Sequence, residues 1–213
     1  MRAMTSFGPD GYKKYGEKML KSWLDHTDIP LTVYTEGKGK YPKGPEYRCL
    51  WDIPYVKEWV EHTEPVADFR FNIHVFVRKA FVQIQELKEN HGNVMWIDAD
   101  VVFREHFSAR QFKEKMNGVY CAYLGRRDYH PCTSFIGFNC ALPENERFLR
   151  EYEQIYMTGE VLKLPEWHDA YVFGHVLKLS EVSCRNLSPW GKPMENVFNK
   201  VFSFAHHKKG DLK

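Results

Sequence analysis

The stretch VMWIDADVVF at residues 94–103 places two aspartates directly after a run of apolar residues. A short apolar run of this kind is typical of a strand that is buried on both faces of a sheet. Asp98 and Asp100 follow where this strand reaches its carboxyl end, the edge at which open α/β sheets bind their ligands. Because alternate residues of an extended chain point the same way, both carboxylates lie on one side. The stretch therefore predicts a buried central strand that ends in an acidic ligand site.

The chemistry of this acidic pair favours a bound cation. Two neighbouring carboxylates repel each other unless a positive charge lies between them. Mn²⁺ and Mg²⁺ are hard ions that prefer oxygen ligands, and either can stabilise the charge of a departing diphosphate. The alternative, a pair of solvated acids in a β-turn, is disfavoured by the apolar residues on both sides. We predict Asp98 and Asp100 to be metal ligands.

Strands and helices are predicted to alternate on both sides of this stretch. An apolar start at Met1–Phe7 precedes a helical stripe over Tyr12–His26, and Leu31–Thr35 follows as a buried strand. A second helical stripe at Phe69–Glu89 leads into the acidic strand. Further strands are predicted at Val119–Leu124, Phe135–Asn139 and Val201–Ala205, and helices at Asn145–Met157 and Asp169–Leu179. This order predicts one α/β domain over residues 1–213, with a mostly parallel central sheet flanked by helices.

The composition is that of an ordinary globular protein. The chain has 213 residues, of which 43% are hydrophobic and 27% charged, enough for one sizeable core. The formal net charge is +2 with interspersed signs, so we expect no nucleic-acid partner.

The cysteines and the apolar runs bear on the cellular location. Five widely spaced cysteines without a CxxC pair favour neither a zinc site nor a disulfide framework, and a reduced compartment fits better. No apolar run reaches the length of a transmembrane helix, about 18 residues. The N-terminus lacks the apolar core of a signal peptide. We expect a cytoplasmic protein, in the host cytoplasm if the source is a virus.

The C-terminal tail HHKKGDLK, residues 206–213, combines imidazole, glycine and cations. His207 can add a nitrogen ligand to the metal. Gly210 allows the backbone to approach a phosphate, and Lys213 can neutralise it. The alternative is a flexible basic end, which is common for such tails.

The spacing His207-x-x-Gly210-x-x-Lys213 resembles the HxxGxxK signature of the glycogenin-like and bacterial galactosyltransferase-like enzymes of the GT-A fold. The resemblance implies that His207 joins the two DxD aspartates on the metal and that Lys213 contacts the donor diphosphate. The family's signature continues with Pro-Trp, whereas this sequence stops at Lys213. A domain cut from a longer protein and a minimal relative both fit this departure. The chain is also similar in size to the small transferases of large algal viruses and phages.

The resemblance extends to other parts of the chain. Thr5, Tyr12 and Ser22 are similar to the family's N-terminal pattern, which implies that the strand end Thr5-Ser6-Phe7 and Tyr12 hold the uracil. Gly137-Phe138-Asn139 is similar to a G-x-N stretch that lines the family's donor pocket.

Two basic and two acidic residues complete the predicted site. Arg78 and Lys79 lie on the helix before the acidic strand and are expected to reach the diphosphate or nucleotide, the alternative being a solvated helical face. Asp169 resembles the Asp of the family's D-Q motif, which faces the donor sugar, although it also suits a helix N-cap. Asp128 or Ser134, in the polar loop 125–134, is expected to bond sugar hydroxyls, the alternative being a loop that merely connects two strands. We predict Asp169 and Asp128 to be the catalytic residues.

These expectations combine into a function. They predict a metal-dependent glycosyltransferase that moves a hexose from a nucleoside diphosphate sugar, a UDP-sugar first of all, to a hydroxyl acceptor on a glycan or protein. The resemblance leans towards retention of configuration. One alternative is an inert module that binds sugar nucleotides. An aspartyl-phosphate phosphohydrolase ranks lower because the acidic pair lies in mid-chain, and a nucleotidyltransferase because Gly8-Pro9-Asp10-Gly11 lacks the basic signature of that class.

Overall fold

A seven-stranded sheet forms the centre of the structure, a computed structural model that describes residues 1–208. The strands of this chain are β1 (Arg2–Phe7), β2 (Leu31–Thr35), β3 (Glu46–Cys49), β4 (Asn93–Ile97), β5 (Val101–Phe103), β6 (Cys121–Arg126), β7 (Tyr129–Asn139), β8 (Cys184–Asn186) and β9 (Ala205–His207). The central sheet has the order β3-β2-β1-β4-β7-β6-β8. Its pairs are parallel except at β7, which runs antiparallel to both β4 and β6. The predicted mostly parallel α/β sheet is confirmed.

Helices cover both faces of the sheet. They are α1 (Pro9–Gly11), α2 (Glu17–His26), α3 (Val56–Glu61), α4 (Ile73–Glu89), α5 (Ala109–Met116), α6 (Glu144–Met157), α7 (Asp169–Ser180) and α8 (Val197–Val201), with a π-helix at Tyr12–Gly16 and 3-10 turns at Leu50–Asp52, Phe69–Phe71 and Glu160–Lys163. None of the helices within residues 1–208 combines the length and the apolar character needed to cross a membrane.

The strand β4 is buried on both faces, as its sequence predicts. Val94 and Trp96 face one apolar cluster, to which α4, α6 and α7 contribute. Met95 and Ile97 face a second cluster with α2, α5 and α8. Because both faces of β4 are packed, the core fixes the position of the residues that follow this strand.

A second, two-stranded sheet lies beside the end of β4. Here β5 and β9 pair antiparallel, with Val101 opposite His207 and Phe103 opposite Ala205. The side chain of Ser22 on α2 anchors β5, because its hydroxyl accepts a hydrogen bond from the Phe103 N–H at 3.1 Å. This small sheet carries the C-terminal part of the described chain to the residues after β4.

Two local predictions were wrong. The apolar run at Val201–Ala205 is not a strand, since α8 extends to Val201 and the pairing with β5 begins only at Ala205. The stretch 125–134 is not an open loop but the tip of the β6–β7 hairpin, which turns at Arg127 and Asp128. Asp128 adopts a left-handed conformation with φ 53°, a geometry that Asp tolerates in tight turns.

Candidate functional site

The two aspartates lie at the carboxyl edge of the sheet, immediately after β4. The Asp98 N–H donates to the carbonyl of Ser134 at 3.1 Å, which fixes the backbone against β7. The Oδ1 atom of Asp98 accepts from Lys79 Nζ at 2.8 Å and from Trp96 Nε1 at 2.7 Å. These bonds orient the carboxylate through one oxygen and leave Oδ2 directed towards His207, whose Nε2 is 4.0 Å away.

The structure brings His207 to this acidic pair. Nε2 of His207 lies 3.1 Å from Oδ1 of Asp100, and the side chain is 7% exposed. One ligand atom each from Asp98, Asp100 and His207 can be chosen so that all three lie within 4.8 Å of one another. Residues from distant parts of the sequence thus form one cluster with the spacing of a metal site.

Two asparagines hold the backbone of His207. Its N–H donates to Oδ1 of Asn199 at 2.7 Å, and its carbonyl accepts from Nδ2 of Asn196 at 3.0 Å. Nδ2 of Asn199 donates to the same carbonyl at 3.3 Å. The imidazole also packs edge-on against Phe198, with 5.7 Å between ring centroids. The position of the ring therefore depends on α8 as well as on the β5–β9 pairing.

The donor set fits a divalent cation. Oδ1 of Asp100 is buried and makes no well-aligned hydrogen bond among residues 1–208; its polar neighbour is Nε2 of His207 at 3.1 Å, so this anionic oxygen is open to a cation. Burial raises the pKa of Asp100, but the neighbouring His207 and then Lys79 outweigh this effect and hold the pKa below its usual value. Carboxylate oxygens and one imidazole nitrogen are suitable ligands for Mn²⁺, and the oxygens for Mg²⁺.

A buried lysine joins this cluster to Asp169. Nζ of Lys79 lies 2.8 Å from Oδ1 of Asp98, 2.8 Å from Oδ2 of Asp169 and 2.7 Å from the carbonyl of Thr133. Burial lowers the pKa of Lys79, but the charges of Asp169 and Asp98 outweigh it and raise the pKa to about 12. Lys79 is therefore a permanent cation whose bonds go to protein groups, so that it orients two carboxylates.

Asp169 is bonded on the same side by a hydroxyl. Its Oδ2 accepts from Thr133 Oγ1 at 2.5 Å. Burial raises the pKa of Asp169, but the charge and hydrogen bond of Lys79 prevail, and the pKa is lowered. Asp169 is not the N-cap of α7, because His168 holds that position and its Nδ1 accepts from the Tyr171 N–H. The Asp169 carboxylate therefore does not cap the helix and instead bonds Lys79 and Thr133 at the sheet edge.

Two N-terminal residues of the predicted site, Phe7 and Tyr12, belong to an aromatic cluster. Phe7 lies 5.5 Å from Tyr12 and 5.9 Å from Tyr41, and Tyr41 stacks on Tyr47 at 4.9 Å, measured between ring centroids. Phe7 is the last residue of β1, and Tyr47 pairs with Val33, two residues before the end of β2, so the cluster lies near the carboxyl edge of these parallel strands. Tyr41 and Tyr47 were not predicted to be site residues. The pattern that could have indicated them is a pair of tyrosines in and just after a loop rich in Gly, Lys and Pro.

The other N-terminal residues have more local roles. Thr5 is fully buried in β1, and its hydroxyl has no partner in the described part of the chain. Ser6 is half-buried next to it. Ser22 belongs to the packing between α2 and β5 described above, not to a ligand pocket. Arg78 forms an ion pair with Glu36 at 2.9 Å and lies over the ring of Trp51, at the same edge as the aromatic cluster.

The expectation for Gly137-Phe138-Asn139 was wrong. Asn139 pairs with Asn93, the first residue of β4, so this stretch lies at the opposite end of the strand from Asp98. Five residues of strand separate the two ends, about 16 Å. A Cβ at Gly137 would lie 2.5 Å from the sulfur of Met116 and 2.9 Å from Phe112. Packing of α5 against the sheet explains this glycine.

Two further outcomes concern the hairpin and the tail. Asp128 is exposed at the hairpin tip and lines a cavity beside α7, apart from the Lys79 network. His130, also on the hairpin, has its Nε2 3.3 Å from Oε2 of Glu166. Gly210 and Lys213 lie outside the described residues.

Comparisons with known proteins support the fold. No protein-family model matches the chain, and no curated protein matches its sequence. Among solved structures, the chain is similar to mouse xyloside xylosyltransferase 1 in its apo form, with a TM-score of 0.59. The two are 9% identical, and the alignment covers 100% of this chain and 98% of the other. The chain thus has a glycosyltransferase-like α/β fold.

Proposed function

We propose that the protein is a metal-dependent glycosyltransferase that moves a sugar from a UDP-sugar to a hydroxyl acceptor. The observation that carries the proposal is the convergence of Asp98, Asp100 and His207 at the carboxyl edge of the sheet. The strand beside β4 is β1, which ends at this edge in Phe7 of the aromatic cluster. The overall likeness to a xylosyltransferase supports it. A hexosyl group is the first expectation, and a xylosyl group is the alternative that the neighbour's name raises.

Different residues of the site would bind the metal, the nucleotide and the sugar. Mn²⁺ or Mg²⁺ would be held by Oδ2 of Asp98, by Asp100 and by His207. When bound, the ion supplies positive charge to the diphosphate of the donor. The rings of the aromatic cluster offer a stacking surface for the base. Gly210 and Lys213 remain proposed contacts of the diphosphate. Lys79 keeps Asp98 and Asp169 in place.

The surroundings of Asp169 support retention of configuration. A general base works best when its pKa lies near the working pH, and the pKa of Asp169 is lowered by Lys79 against the effect of burial. The Oδ2 atom of Asp169 also accepts from Thr133 and Lys79. A poor base in this position suits a reaction in which the departing phosphate oxygen takes the acceptor proton. Asp169 then orients the donor sugar.

Donor binding and turnover test the proposal together. Wild-type protein with Mn²⁺ should bind UDP in isothermal titration calorimetry and should slowly release UDP from one member of a panel of UDP- and GDP-sugars. Asp100→Asn should abolish metal-dependent binding, and His207→Ala should weaken it less. The exposed residues Asp25 and His91 provide the matched controls Asp25→Asn and His91→Ala.

The outcomes separate the alternatives. Unchanged UDP affinity in both Asp100→Asn and His207→Ala would contradict the proposed site. Binding of UDP-sugars without any release of UDP would favour an inert binding module. Release of inorganic phosphate from simple phosphomonoesters would favour a phosphohydrolase.

A further inference from the structure

A cavity of about 640 Å³ lies between the β6–β7 hairpin, α7 and β8. This volume is in the range of small-molecule sites, about 300–1,000 Å³. Its lining combines aromatic and polar side chains, among them Arg126, Tyr129, His130, Tyr171, His175 and Lys178. The site proposed for the donor does not use these residues.

The cavity begins close to the donor side of the sheet. His130 lies on β7, three residues before Thr133, which bonds Asp169. Three residues of strand span about 10 Å. On the other wall, Tyr171 follows Asp169 by two residues on α7. A ligand in the cavity thus has one end within about 10 Å of the Asp169 network.

Aromatic rings of the lining lie in two pairs of neighbouring rings on the two walls of the cavity. Tyr171 and His175 lie one helical turn apart on α7, with 13° between their ring planes. Tyr129 is 39% exposed at the hairpin and contacts His130, with 4.6 Å between ring centroids. A saccharide presents C–H groups on its ring faces and hydroxyls around its rim. Rings with polar edges match both surfaces.

A carboxylate lies next to His130 at this end of the cavity. Oε2 of Glu166 accepts from Nε2 of His168 at 2.7 Å and lies 3.3 Å from Nε2 of His130. His130 is part of the cavity lining and Glu166 is not, so the carboxylate lies behind His130 and orients its ring.

This group of two histidines and a glutamate has the spacing of a metal site, but its hydrogen bonds argue against one. Nδ1 of His168 accepts the Tyr171 N–H at 3.3 Å, so the proton of a neutral ring lies on Nε2, where a metal would have to bind. The group therefore holds the imidazole of His130 at the wall of the cavity.

We propose that this cavity binds the acceptor and that the acceptor is a carbohydrate, an inference that rests on the proposed function. The sugar rings stack on Tyr171, His175 and Tyr129, and polar side chains of the lining, His130 among them, bond the hydroxyls. A concave cavity of this size suits a compact oligosaccharide better than an extended polypeptide. The acceptor hydroxyl then points along β7 towards Asp169.

Glycan binding without nucleotide tests this inference independently of the donor site. Labelled wild-type protein is applied to an array of immobilised oligosaccharides, and affinity for the best-bound oligosaccharide is then measured by calorimetry. Tyr171→Ala and Tyr129→Ala should each weaken binding by about tenfold, the effect of losing one stacking ring. UDP affinity with Mn²⁺ should change less than twofold. Tyr55→Ala is the control, because Tyr55 is 47% exposed and is not part of the cavity lining.

Each outcome bears on one proposal. Absence of glycan binding on the array, or equal binding by wild type and both variants at unchanged thermal stability, overturns the acceptor cavity. Should Tyr171→Ala fail to fold, Tyr129→Ala at the exposed hairpin decides. If wild-type protein with Mn²⁺ does not bind UDP, this result contradicts the donor site, even when glycans bind.

Discussion

Replacing Lys79 with methionine should strongly destabilise the fold. The methionine keeps the apolar part of the side chain, which lies against Trp96, but removes the charge that bridges Asp98 and Asp169. The side chains of Lys79, Asp98 and Asp169 are 11%, 27% and 14% exposed, so the carboxylates keep little compensating water. Removing one partner of a buried ion pair costs about 3–5 kcal/mol. For a chain of this length the melting temperature should fall by about 6–20 °C.

Urea unfolding followed by circular dichroism measures this cost in the presence of a chelator. Lys79→Arg keeps the charge and serves as the control. A double-mutant cycle of Lys79→Met with Asp169→Asn should give an interaction energy of about 0.5–3 kcal/mol, because the second substitution removes the unpaired charge left by the first. A loss below about 1 kcal/mol for Lys79→Met, together with additivity in the cycle, would refute the bridging role.

Two further predictions address the metal cluster and the sheet core. Asn199→Ala should weaken Mn²⁺ binding about tenfold in calorimetry, because the His207 N–H loses its acceptor while all three ligands remain. Unchanged affinity would mean that Asn196, Phe198 and the β5–β9 pairing suffice to position His207. Gly137→Ala should cost about 1–3 kcal/mol in urea unfolding, because its Cβ meets Met116 and Phe112, while UDP affinity stays constant. Weaker UDP binding by a folded Gly137→Ala protein would return this stretch to the donor pocket.

The sequence predicted best where one physical requirement dominated. The apolar run at Val94–Ile97 requires burial on both faces, which fixed the place of β4 and of the acids after it. The helical stripe of α4 was equally clear, although it begins at Ile73 because Phe69–Phe71 forms a 3-10 turn. Near the C-terminus, one short apolar run was compatible with a helix or a strand. Asn196 caps α8 and thereby favours the helix.

The missed parts of the site depend on contacts between residues that are far apart in sequence. Nothing local in the segment 166–169 shows that His168 and not Asp169 caps α7, or that Glu166 meets His130. The same holds for Lys79, whose helical position predicted a cation near the acids but not its bonds to Asp98 and Asp169. The G-x-N match failed because the sheet register, which the motif does not contain, places Asn139 at the wrong end of β7.

The pairing of β9 with β5 also has a consequence for biosynthesis. Asp98 and Asp100 leave the ribosome long before His207, which emerges only after nearly all of the central sheet has been synthesised. Domains fold during synthesis from the N-terminal side, at about 5–20 residues per second. Under the proposed function, the growing polypeptide forms the carboxyl edge of the sheet first and completes the proposed set of cation ligands last, which disfavours capture of a donor during translation.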